Sequence, residues 1–191
     1  MNKYNTILGQ MLALISRSGF EKQVKEHKTE HGAKGLRSWT QFVTMLFSQL
    51  TGQHGLRSME WGMNSQKNNW YHLGITNTQR AVKRSTLSYA NAHRSADLFK
   101  AIFLSLLIQA QSLSVSHGFR FKNPLYSIDA TTIDLCLKLF PWADFREGKG
   151  GIKLTVKLDH QGKIPCFLNM SNARGCLIRS KWYSDPALSD Q

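Results

Sequence analysis

At Pro124 the chain changes its hydrophobic period, and few folds accommodate both halves. Up to about residue 120, apolar residues recur every three to four positions, as on one face of a helix. After Pro124 the stretches LYSIDATTIDLCL, GIKLTVKLDH and KIPCFLNM are rich in β-branched residues and bounded by Gly, Pro and turn residues. Segregated helices followed by strands predict an α+β fold.

In the first half, Ile7, Met11, Leu14 and Ile15 share one face of a first helix. The charged run EKQVKEHKTEHGAKG follows, with Gly32 and Gly35 as its stop. A second helix is expected from Ser38, where SWTQ has the form of a capping box closed by Gln41, with Phe42, Leu46, Phe47 and Leu50 as its apolar stripe. A third, LFKAIFLSLLIQA, begins near Ser95 with Asp97 in its first turn and is apolar enough to be largely buried. Between them TNTQRAVKRSTLSYANAHR holds Arg80, Lys83, Arg84 and Arg94 beside a short helical pattern opening at Ser85 or Thr86, in the manner of a helix-turn-helix reading head. A basic surface helix beside a polar turn has the same appearance. Trp39, Trp61, Trp70 and Tyr71 suit either a helical core or a platform on which bases stack.

In the second half, Asp159, His160, Gln161 and Gly162 make a short polar turn that favours an antiparallel hairpin. Asp129, set within SIDATTI, interrupts a strand built mainly of Ile, Ala, Thr and Leu. A carboxylate beside a sheet can hold Mg²⁺, and paired metals serve in-line phosphoryl transfer, but one aspartate cannot do this alone. The other reading is a solvated aspartate at a strand end or edge. Asp134 is five residues on, an odd separation that puts it on the opposite face unless a bulge intervenes.

The charge narrows the partner. Across 191 residues, 25 Lys and Arg stand against 12 Asp and Glu, a net charge of +13, and the commonest partner of such an excess is a polyanion such as nucleic acid. An acidic membrane surface would fit the charge as well. Cys136, Cys166 and Cys176 contain no CxxC pair and are odd in number, which favours a reducing cytoplasm over a secreted disulfide framework. AIFLSLLIQA falls far short of the ~20 residues a membrane span needs, so a soluble protein is expected, with nucleic acid rather than a membrane as the leading partner. His27, Glu30 and His31 spell the inverted zinc-protease pattern H-x-x-E-H, but on a lysine-rich polar stretch without a third ligand. The glycines of REGKGG lack the spacing of a phosphate-binding loop.

The run YSIDATTIDLCLKLFPWADFREGKGGIKL, with the LDHQGKIP hairpin and IPCFL after it, resembles the opening of the catalytic domain in DDE-type transposases of the family founded on insertion sequence four. The quoted parts are Asp129 in SIDATTIDL, the LFPWADFR loop with Trp142 and Asp144, and KGGIKL leading into the second strand. Upstream, SWTQFVTMLFSQLTGQHGLR and VKRSTLSYAN resemble that family's N-terminal region, so the resemblance covers roughly residues 1–170. It implies a ribonuclease-H-like domain in which Asp129 is the first of an Asp, Asp, Glu triad binding two Mg²⁺ or Mn²⁺ ions. The triad would activate water and then a DNA 3′-hydroxyl at element ends and target.

On that resemblance the chain divides into an N-terminal helical domain (1–75), a basic segment that contacts DNA (76–120), the beginning of the ribonuclease-H-like domain (121–170) and a divergent tail (171–191). Arg80, Lys83 and Arg84 are the expected DNA contacts of the helical region, and Arg146, Lys149 and Lys153 those of the sheet, unless these last are ordinary solvated charge. The tail SNARGCLIRSKWYSDPALSDQ has neither strand alternation nor a helical period and reads as frameshifted or read-through, so the second Asp and the Glu of the family are not expected in it. The expected product is a nucleoid-associated bacterial protein that binds DNA and associates with itself or with full-length transposase, but does not transpose alone. Its rivals are a non-catalytic DNA-binding repressor or remnant of the element, and a basic nucleic-acid binder without sequence preference.

Overall fold

The computed structural model describes residues 6–33, 35–76, 81–113, 123, 125–135, 143–146, 149–160 and 164–173. Helices come first: α1 (Ile7–Ala13), α2 (Arg17–Glu26), α3 (Ser38–Leu50), α4 (Leu56–Ser65), a 3-10 helix (Lys67–Leu73), α5 (Arg84–His93) and α6 (Asp97–Leu113). Four strands follow: β1 (Tyr126–Leu135), β2 (Asp144–Arg146), β3 (Lys149–Asp159) and β4 (Ile164–Asn172). The α+β class expected from the change of period is what is found. The chain forms two compact units, Met1–Leu106 and Leu107–Gln191.

The first unit is built on α3, which is buried nearly all round. Trp39 and Val43 are buried, and so are Thr40, Gln41, Thr44 and Ser48. Polar groups tolerate this because each has a partner: Thr44 Oγ1 donates to the Thr40 carbonyl at 2.7 Å and Ser48 Oγ to that of Met45 at 2.7 Å. Phe20, Leu36, Met63, Leu87 and Leu98 share one buried core with Trp39 and Val43 of α3. Asn64 holds the segment before α5, accepting from the Val82 N–H at 3.0 Å and donating to its carbonyl at 2.9 Å.

Three helix expectations change. The single first helix is two, because Ser16 begins a new one, its side chain accepting from the Gly19 N–H at 3.2 Å. The break turns the apolar stripe, so Ile7 and Leu14 are exposed while Leu12 and Phe20 are buried. SWTQ is not a capping box: the cap position is Arg37, without a side-chain bond. The carboxylate of Glu30 takes over that role, accepting from the Ser38 N–H at 2.6 Å. Nor is α6 largely buried. Leu98 and Ile102 are, whereas Leu104, Ile108 and Leu113 are exposed, because apolar content alone does not say which face finds a partner.

The second unit is an antiparallel sheet with β3 between β1 on one side and β2 and β4 on the other. β1 and β3 pair without interruption from Tyr126↔Asp159 to Leu135↔Gly150. The β3–β4 pairing is the hairpin the polar turn favoured, with one irregularity at Lys157/Leu158. β2 lies within the LFPWADFR stretch, where no strand was expected. Because opposed residues share a face, Asp129, Thr131 and Ile133 lie with Val156, Leu154 and Ile152, and Asp134 lies on the other face with Gly151 and Lys153.

Candidate nucleic-acid interface

The cations of the first unit fall into two classes. Arg94 is structural: its guanidinium donates to Gln41 Oε1 at 2.7 Å and to the Leu36 carbonyl. Burial pushes its pKa below the usual value, against the pull of Glu30. Arg37 meets Glu30 at 2.9 Å and Arg17 meets Glu21 at 3.2 Å. Burial raises Glu30, but the Ser38 N–H, Arg37 and Arg94 outweigh it and hold the carboxyl below its ordinary range. Glu30 is therefore fully engaged, and His27 and His31 lie on the turn after α2 rather than one helical turn apart on a helix, so H-x-x-E-H carries no zinc chemistry here. Among the described residues no three His, Cys, Asp or Glu side chains could hold a metal.

Lys83 and Arg84 belong to the second class. Both are exposed, Lys83 at the cap of α5 and Arg84 its first residue, and no acidic residue stands in the first turn. Cations there add to the positive end of the helix dipole instead of offsetting it, against helical stability by some tenths of a kcal/mol. The same arrangement concentrates positive potential where a phosphate can approach. Along the helix Tyr89 is 65% exposed and stacks on His93 at 3.9 Å and 16°. Arg80 lies outside the described residues. The tight turn of a reading head is not before α5, since residues 66–83 separate it from α4; Arg94, Ser95 and Ala96 form a short turn after it, with α5 and α6 at 81°.

The aromatic residues divide. Trp39 and Trp70 are core, each indole N–H donating to a carbonyl, of Leu73 at 2.8 Å and of Met63 at 2.9 Å. Trp61 and Tyr71 are 75% and 77% exposed, which leaves their faces open to a stacking partner. Tyr89 was missed as a candidate; its signal was the tyrosine and histidine four apart on a basic helix.

On the sheet, Asp129 stands in the middle of β1, exposed, with Oδ1 accepting the Ala130 N–H at 2.8 Å. Val156 is opposite it, and Ser127 and Thr131 are its neighbours on the same face. Asp134 and Lys153 are on the other face, so neither converges on Asp129. Arg146 and Lys149 are placed by their backbone, opposite each other where β2 joins β3, and their side chains lie outside the described residues.

Residues 3–76 match the family described as a domain of unknown function, DUF4372. That stretch holds α1 to the 3-10 helix, and with them Glu30, Trp39 and Gln41. Neither a curated protein nor a solved structure matches the chain. Among the described residues no single helix is long and apolar enough to cross a membrane.

Proposed function

We propose that this chain is part of a DDE-type insertion-sequence transposase whose helical unit binds DNA. The observation that carries the DNA-binding reading is the pair Lys83 and Arg84, exposed at the positive end of α5 without a carboxylate in that turn. The net charge of +13 supports it. The transposase reading rests on the resemblance of YSIDATTIDL and the segments after it, and the antiparallel order β1, β3, β4 agrees with the opening of a ribonuclease-H-like sheet.

Asp129 fits a metal site only in part. Among the described residues it is one exposed carboxylate on a face that also presents Ser127, Thr131, Ile133, Ile152, Leu154 and Val156, and one carboxylate does not hold the two ions that in-line phosphoryl transfer uses. This favours a second reading, in which the chain occupies DNA without cutting it and acts as a repressor. The role of the described residues in either case is to hold the backbone: cations meet phosphates, and exposed aromatic faces are available to bases.

The test is nicking of supercoiled plasmid by the purified chain with Mg²⁺ or Mn²⁺, beside retardation of the same DNA without metal. Retardation is expected for the wild-type chain and for Asp129→Asn alike, with no nicking that differs between them. Nicking abolished by Asp129→Asn would show that the carboxylate has ligands beyond those described; absence of retardation in both would refute DNA binding.

A further inference from the structure

A groove of about 640 Å³ runs along α2 and past its C-terminal end, with the cations Arg17, Lys25, Lys28 and Arg37 in its lining beside Phe20, Val24 and Trp39. Its two carboxylates are occupied. Glu21 is bound by Arg17, and Glu30 by Arg37 and the Ser38 N–H. Lys25 and Lys28 are exposed and have no carboxylate partner among the described residues. Arg17 lies 4.1 Å from the Trp39 ring centre, which fixes the wall of the groove as a cation on an aromatic plane.

Lys28 supplies an independent observation. α2 ends with the Lys28 N–H donating to the Lys25 carbonyl at 3.2 Å and the Thr29 N–H to that of Val24 at 3.2 Å. That pair of bonds is a Schellman closure, which puts the residue after the cap in the left-handed region and usually selects glycine. Lys28 occupies this position at φ 50°, the one non-glycine residue with positive φ among those described. A side chain there is unfavourable by roughly 1–2 kcal/mol, so folding alone selects against lysine. A lysine that lines the groove and has no carboxylate partner among the described residues has another use.

We infer that this groove is a second phosphate-binding surface of the helical unit, taking the sugar-phosphate backbone of duplex DNA on Lys25 and Lys28. The inference rests on the DNA-binding reading and adds a place for the contact. The ammonium groups of Lys25 and Lys28 are point charges on flexible stems, suited to phosphates rather than to base edges, so the contact is to the backbone and does not depend on sequence.

The experiment measures binding of the full chain to a fluorescein-labelled duplex by anisotropy across a salt series, comparing wild type with Lys25→Gln, with the double variant Lys25→Gln/Lys28→Gly, and with Lys83→Gln/Arg84→Gln. Each lost phosphate contact lowers the slope of log K against log salt by about 0.9 and the affinity at about 0.1 M salt by roughly tenfold. The groove double variant is therefore expected to bind about a hundredfold more weakly, with Lys25→Gln about tenfold weaker. Its thermal midpoint should be no lower than that of wild type, because glycine relieves the strained φ. Wild-type affinity and slope in both groove variants, with binding reduced in Lys83→Gln/Arg84→Gln, would overturn the groove and leave the DNA-binding reading standing. No binding by wild type would overturn both.

Discussion

Trp39→Ala is expected to destabilise the helical unit by about 3–5 kcal/mol, the range for losing a large buried aromatic. The residue is 6% exposed and joins three kinds of contact. Its ring meets Phe20 edge-on at 4.9 Å and lies 5.9 Å from Phe42. Its indole N–H donates to the Leu73 carbonyl at 2.8 Å. Gly74, at φ 68°, brings its backbone so near that a Cβ would stand 3.3 Å from the indole nitrogen. Alanine would remove the ring and leave the Leu73 carbonyl without that donor, so the cavity and the lost bond act together. In a unit of this size the shift in thermal midpoint should exceed about 10 °C. Helical signal followed through denaturant unfolding measures it, and a change below about 1 kcal/mol would show that Trp39 does not hold α3 to the chain around Leu73.

Gln41→Leu is the second large effect, although it keeps volume and adds apolar surface. The side chain is 2% exposed, donates to Asn91 Oδ1 at 2.7 Å and accepts from Arg94 at 2.7 Å. Leucine would strand both partners, one of them a guanidinium already partly desolvated, at a cost of about 2–4 kcal/mol. A double-mutant cycle with Arg94→Met separates this from packing. The cost of Gln41→Leu should fall by about 1 kcal/mol or more when Arg94 is already methionine. Additive losses would mean that the two side chains do not depend on each other.

Gln41 also shows where the sequence stops being readable. Its place four residues into a polar-to-apolar helix start is what a capping box looks like, and nothing local reveals that its partners are 50 and 53 positions away. Glu30 is the converse: read within H-x-x-E-H, it caps a helix eight residues on. Periodicity placed α3 and the β3–β4 hairpin because their signals are local. It misjudged α1 and α6 because which apolar face is covered depends on tertiary partners. The alternation of strand faces was legible too, since Asp129 and Asp134 separate across β1 as their odd spacing requires. The groove at Lys25 and Lys28 was not, because the left-handed φ of Lys28 follows from how α2 ends and has no mark in the residue type.

The central claim is that this chain binds DNA through a defined set of cations. Equilibrium binding of the wild-type chain to a labelled duplex, measured from about 50 to 300 mM salt, tests it most directly. A linear fall of log K with log salt is expected, shallower by about two contacts in Lys83→Gln/Arg84→Gln and unchanged in Asp129→Asn. No binding at micromolar protein in the lowest salt, or binding whose affinity and slope are the same with and without Lys83 and Arg84, would contradict it.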